Sequence, residues 1–245
     1  MAASEAQRTA LDVLADYGSR NDDVTSWASL GNFGKAPQNV HRDLLALSRK
    51  NGVDLETAKV RVTCRNIHDH GTQSKLHDII YPHEMFAAIW ESGFDNFRHV
   101  FLGPDGSSGL VNFWERQSDA DWVISHPGLQ GDWNPAHVIP LGVHGDKGRH
   151  IARDKILNIA WGSVMSTAPT IWSKLLYTIL PDDLDVKFKT TEELYAVLVW
   201  SFQYLQLGRW PETDHMGKPW AYGTRRNAVA GKPLAGDAAL WTTKY

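Results

Sequence analysis

Val138-Ile139-Pro140-Leu141-Gly142-Val143-His144-Gly145-Asp146-Lys147-Gly148 is the stretch that decides the fold class. Its first seven residues are mostly apolar with β-branched side chains among them, and its last four place an Asp-Lys pair between glycines. That composition predicts a strand over 138–144 closed by a turn at 145–148. Two more strands follow. Ile156 to Met165 carries Leu157, Ile159, Trp161 and Val164, and Trp172 to Leu180 is stopped by Pro181-Asp182-Asp183. From Thr190 or Thr191 the apolar period lengthens to that of a helix, with Leu194, Val197, Leu198, Phe202 and Leu205 on one face. Glu192 and Glu193 fall in its first turn, where the helix dipole favours acids, and Gly208 ends it before Pro211. The helical stripe needs an apolar surface, and Ile159, Trp161, Leu176 and Ile179 are the nearest that can supply one. The expected unit is a three-stranded antiparallel sheet with the helix across one face.

Outward from this unit the chain changes character. Toward the N-terminus it reads as mainly helical: about 4–17 and 39–50, then a turn capped by Asp54 and a strand-like Val60 to Cys64. Tyr81-Pro82-His83-Glu84 opens another helix with proline at its first position, followed by the stripe Met85, Phe86, Ile89 and Trp90. Leu110, Phe113 and Trp114 mark a short amphipathic helix, and Ser118 is a candidate cap for one more. Past Pro211 no periodicity survives, and Gly, Pro, Arg and Lys dominate from Gly217 to Lys232. The reading is α+β: a mainly helical region 1–134, a sheet-plus-helix region 135–210, and an irregular, poorly ordered basic tail 211–245.

Composition narrows the function classes. The 245 residues are 42% hydrophobic and 22% charged, which suits a packed core. Twenty-five basic against 28 acidic residues argue against a surface built throughout for a phosphate backbone. The single Cys64 excludes an internal disulfide and, in an alternating run, reads as a buried thiol. No membrane-length apolar run or signal peptide is present, so the expected location is intracellular, nuclear or cytoplasmic. Eleven tryptophans read first as core mass.

Three strands, then a long helix, with an aspartate closing the first strand, resembles the opening of the ribonuclease H-like fold. Enzymes of that fold set one carboxylate on the first strand and another on a strand after the first helix. The two hold a pair of divalent cations on the scissile phosphodiester. The resemblance makes Asp146 the first carboxylate and metal ligand, with magnesium or manganese as the cofactor; His144, clustered in sequence with Asp146 and His150, is a candidate base. Gly-Asp-Lys-Gly is also a plain hairpin turn, in which an Asp ordinarily makes only a local hydrogen bond. Ile139-Pro140-Leu141-Gly142-Val143-His144-Gly145-Asp146 also resembles a block of a high-copy, largely uncharacterised protein family of dinoflagellate genomes. Ile159-Ala160-Trp161-Gly162-Ser163, Leu198-Val199-Trp200-Ser201-Phe202, Gly231-Lys232-Pro233-Leu234-Ala235-Gly236 and Pro82-His83-Glu84-Met85-Phe86 are similar to further blocks of it. The likeness spans roughly 78–236 and implies mobile-element ancestry with an integrase-like core. In that family the block near the end is followed by another strand bearing a Gly-Asp pair. Here Asp237 comes earlier, in a Gly-rich loop, so the expected state is a truncated, non-catalytic relic.

Other constellations are sparser. His68-Asp69-His70, with His77 and Asp78 nearby, has metal-ligand chemistry but no fixed third ligand. Arg225, Arg226 and Lys232 are candidates for nucleic-acid phosphates. Three functions remain open: a non-catalytic fragment of a transposase- or integrase-like protein, a metal-dependent phosphodiesterase that pairs Asp146 with Asp214, Asp237 or a partner's acid, and a Trp-rich module that binds a protein or itself through an open sheet edge.

Overall fold

The computed structural model describes residues 7–8, 10–12, 14–15, 25, 28–29, 57–69, 71–149, 155–167, 173–187, 189–235 and 242–244. The chain divides into two compact units, 1–54 and 55–245. Both helices expected near the N-terminus belong to the first unit: of the one over 4–17, residues 7–8, 10–12 and 14–15 are described and helical, and the one over 39–50 lies outside the described residues. The second unit holds every candidate site residue.

That unit is α+β, with a two-stranded and a four-stranded sheet. Strands β1 (Ala58–Arg65) and β2 (Thr72–Ile79) form an antiparallel hairpin in full register, Ala58 opposite Ile79 and Arg65 opposite Thr72. β1 alternates as a half-buried strand should, burying Ala58, Val60, Val62 and Cys64. Burial raises the Cys64 thiol pKa, which keeps it protonated and inert. Two helices, α1 (Pro82–Glu91) and α2 (Phe94–Phe97), lead through a π turn, Arg98–Leu102, to α3 (Gly106–Gln117) and α4 (Asp121–Ser125). Ala120, not Ser118, caps α4; the Ser118 hydroxyl turns back to donate to the Glu115 carbonyl.

The sheet-and-helix unit forms as its apolar pattern requires. β3 (Val138–Arg149), β4 (Lys155–Ser163) and β5 (Leu175–Pro181) are successive antiparallel neighbours, followed by α5 (Lys189–Leu207). α5 buries Leu194, Val197, Leu198, Phe202 and Leu205, and Gly208, at φ 64°, takes the left-handed conformation that ends it. Burying these five side chains contributes roughly 7 to 15 kcal/mol before conformational entropy is set against it.

Three details differ from expectation. β3 does not turn at 145–148 but runs on to Arg149, with Asp146 opposite Asn158. Gly145 has a packing role there, since a Cβ would lie 3.2 Å from Tyr195 Oη on α5. A register shift at Ile159/Ala160 moves β5 by one residue. Tyr177 and Leu180 therefore enter the core while Ile179 stays 44% exposed, and the Tyr177 hydroxyl donates to the Leu194 carbonyl at 2.7 Å. Finally, β6 (Thr242–Lys244) pairs in parallel with Val138–Pro140, giving the strand order β5-β4-β3-β6.

The segment expected to be a loose tail is folded. Residues 209–235 close on themselves through Trp210 N–H to the Lys232 carbonyl (2.8 Å) and Gly231 N–H to the Trp210 carbonyl (3.0 Å). Trp210, Leu234 and Ala235 are buried in the main core. Helix α6 (Arg225–Val229), capped by the Thr224 hydroxyl, lies within this strap. Among the described residues no helix is long and apolar enough to cross a membrane.

Candidate functional site

Strand alternation decides what Asp146 can reach. Leu157, Ile159 and Trp161 of β4 lie opposite Lys147, Gly145 and Val143 of β3, so these positions share the face that α5 covers. His144 and Asp146 fall on the other face, opposite Ala160 and Asn158. Both are exposed. On the face shared with α5, Lys147 Nζ binds Asp182 and lies 3.8 Å from Asp185. The hydrogen bond between Lys147 and Asp182 raises the pKa of the ammonium and lowers that of the carboxyl. Asp146 thus falls on the sheet face opposite that of Lys147, which pairs with Asp182. Among the described residues no three His, Cys, Asp or Glu side chains converge where they could hold a metal ion.

Within the histidine-rich stretch, residues 67–69 form a turn between β1 and β2. His68 is exposed between β1 and β2, Asp69 Oδ1 accepts from Gly71 N–H at 2.8 Å, and His70 lies outside the described residues. His77 and Asp78 diverge. The His77 ring meets the Thr178 hydroxyl at 2.8 Å, and burial lowers its pKa. Asp78 pairs with Lys59 at 2.9 Å, and that bond holds its carboxyl below the usual range.

The three cations of the strap have different surroundings. Arg226 holds Glu84 in a two-pronged pair, Nε to Oε1 and Nη2 to Oε2 (3.0 Å), and its guanidinium lies 5.3 Å from Tyr81 and 5.5 Å from Trp220. Arg225 pairs with Glu91 at 3.1 Å and sits 5.9 Å over Trp210. Lys232 contributes its carbonyl to Trp210, and the residue is exposed. Two of the three cations are therefore engaged within the chain.

What sequence reasoning missed is the aromatic cluster these residues brace. His83 is fully buried, stacked on Tyr81 at 5.2 Å and nearly perpendicular to Trp200 (5.5 Å) and Trp210 (5.8 Å). Its Nδ1 lies 2.8 Å from the Ser201 hydroxyl, which also accepts the His83 backbone N–H at 3.2 Å. With the hydroxyl donating to Nδ1, the ring proton sits on Nε2, which has no hydrogen-bond partner among the described residues. Burial, aided by Arg226, pushes the His83 pKa down to about 3. His83 and Ser201 are both closed to solvent, so the pair orders the core instead of acting on a substrate. The available signal was a second ridge on α5, Trp200 and Tyr204 four residues apart, beside the apolar stripe.

Two surface concavities adjoin these elements. One is a shallow apolar groove along α5, formed by Thr191, Glu192, Tyr195, Ala196 and Val199. The other, about 310 Å³, is set in the strap.

Comparison with protein-family models, curated proteins and solved structures found no match.

Proposed function

We propose that this chain is a non-catalytic binding module built on a partial ribonuclease H-like core, of the integrase or transposase kind carried by mobile elements. The strand order β5-β4-β3-β6, with β6 parallel to β3 and α5 across one face, supports the core. The mobile-element origin rests on the sequence blocks at 82–86, 139–146, 159–163, 198–202 and 231–236. The non-catalytic reading is carried by one observation: Asp146 stands on the sheet face turned away from α5, opposite Asn158. Two-metal phosphodiester cleavage needs carboxylates that converge. The strand after the helix, Thr242-Thr243-Lys244, carries no acid, and Asp237 lies outside the described residues.

The binding surface is the run of β3 beyond Pro140, which has no strand partner on its β6 side among the described residues. Its backbone groups on that side suit strand addition by a protein partner or a second copy. A nicking assay on supercoiled DNA with magnesium or manganese tests the reading. The expected result is no cleavage. Cleavage that disappears on Asp146→Ala overturns it and installs a metal-dependent phosphodiesterase in its place.

A further inference from the structure

The strap between Arg209 and Pro233 is irregular in backbone yet fixed at many points. Its ends pair as a short antiparallel bridge, Arg209 with Pro233, and a second bridge joins Thr213 to Pro219. Asp214 Oδ1 accepts from Met216 N–H at 2.9 Å and Lys218 N–H at 2.8 Å, and Trp220 Nε1 donates to the Pro211 carbonyl at 2.9 Å. Irregular surface segments held this firmly are suited to present a preformed site.

The cavity of about 310 Å³ sits in this strap, with Tyr204, Arg209, Trp210, Glu212, Thr213 and Gly231 in its lining. It falls in the lower range of small-ligand pockets, about 300 to 1,000 Å³. Two opposite charges line it without neutralising each other. Arg209 Nη1 donates to the Gly231 carbonyl at 3.1 Å, leaving other donors of its fork free of that bond. Glu212 is exposed and forms no ion pair among the described residues. The two side chains converge on one backbone point, because Glu212 Oε1 lies 3.2 Å from where a Cβ on Gly231 would be. A ligand that satisfies both must present an acceptor beside donors. The ring of Tyr204 asks that it be flat.

From this geometry we infer a binding site for a guanine-type base. The edge of guanine sets a carbonyl acceptor next to a ring N–H and an exocyclic amine. The carbonyl accepts from Arg209, the two N–H donors meet the Glu212 carboxylate, and the ring lies against Tyr204. Adenine offers an amine where guanine has its carbonyl and carries no ring N–H on that edge, so it meets Arg209 with a donor and Glu212 with too few. The base can belong to a free nucleotide or to a single strand, and the chemistry is the same in both. The site is independent of the open edge of β3.

The test is titration of the full chain with guanosine monophosphate, with adenosine monophosphate, and with two short single strands, one all thymine and one carrying a single guanine. Tryptophan fluorescence or calorimetry reads the binding. Saturable binding of the guanine mononucleotide assigns the site to free nucleotides, and binding of the guanine-bearing strand alone assigns it to nucleic acid; either supports the inference. Glu212→Gln, at an exposed position, should leave the unfolding midpoint unchanged and weaken binding by about tenfold or more, as expected for a lost charge-assisted pair. No binding of either guanine probe at millimolar concentration, equal binding of adenine, or an unaltered affinity in Glu212→Gln overturns it.

Discussion

The sheet with α5 and the strap over 209–235 bury neighbouring parts of one core but are held by different physics. α5 lies on β3–β5 through a continuous stripe, Leu194 to Leu205, that no single residue dominates. The strap is attached by points: the Trp210 and Leu234 side chains and two arginine–glutamate pairs to α1. A stripe spreads its free energy over a periodic pattern, whereas a set of points concentrates it in residues with no period. The difference predicts graded losses from one region and all-or-little losses from the other.

The largest effect should come from the stripe. Phe202, fully buried against Trp161 at 5.8 Å, should cost about 3 to 5 kcal/mol on Phe202→Ala, read as a shift in the urea midpoint at unchanged slope. A loss below about 1 kcal/mol would mean that the helix is not seated by its apolar face. Next in size is the strap's inner pair. Arg226→Ala leaves Glu84, only 8% exposed, buried without its cation, and should cost about 3 kcal/mol.

Acid sensitivity comes third. His83 is held neutral in the fold, with a pKa of about 3 against an ordinary value of about 6.5. The unfolded chain therefore binds a proton over that window and the folded chain does not. The stabilisation is complete above about pH 6.5 and declines as pH falls toward 3, by about 2 kcal/mol between pH 7 and pH 5. Urea midpoints measured across that range should fall in the wild type and fall less in His83→Phe. Identical slopes would place the acid sensitivity elsewhere. The smallest effect belongs to the strap's outer pair. Arg225 meets Glu91 at an exposed site, so Arg225→Ala should cost under about 1 kcal/mol. Equal losses from Arg225 and Arg226 would erase the contrast between a point anchor and a surface pair.

The same contrast decides what was legible in the amino-acid order. The β3–β5 and α5 unit was legible because its pattern changes period from strand-like to helical, and its helix end is marked by Gly208. β2 was not, because Thr72 to Asp78 is polar and Leu76 is 56% exposed; it exists through pairing with β1. The extension of β3 through Gly145-Asp146-Lys147-Gly148 was hidden by residues that favour turns in isolation. Pairing with β4 overrides that preference. Of the candidate site residues, Asp146 was legible as an acid at the end of an apolar run but not its face, which is fixed by β3 continuing through it. The strap's cavity was invisible, since Arg209, Glu212 and Gly231 meet only after the chain has looped back.

The Glu84–Arg226 pair spans 142 positions of sequence. During synthesis α1 emerges with a carboxylate that its final site cannot accept uncompensated, and the compensating cation is made long afterwards. The sheet shows the same delay, because the strand that covers the start of β3 is Thr242–Lys244. Contacts of such span must close large loops before they return any stabilisation, and they slow folding accordingly. Nascent chains stopped short of Arg226 should hold α1 undocked and sensitive to protease, and the unit should lock only when the strap arrives.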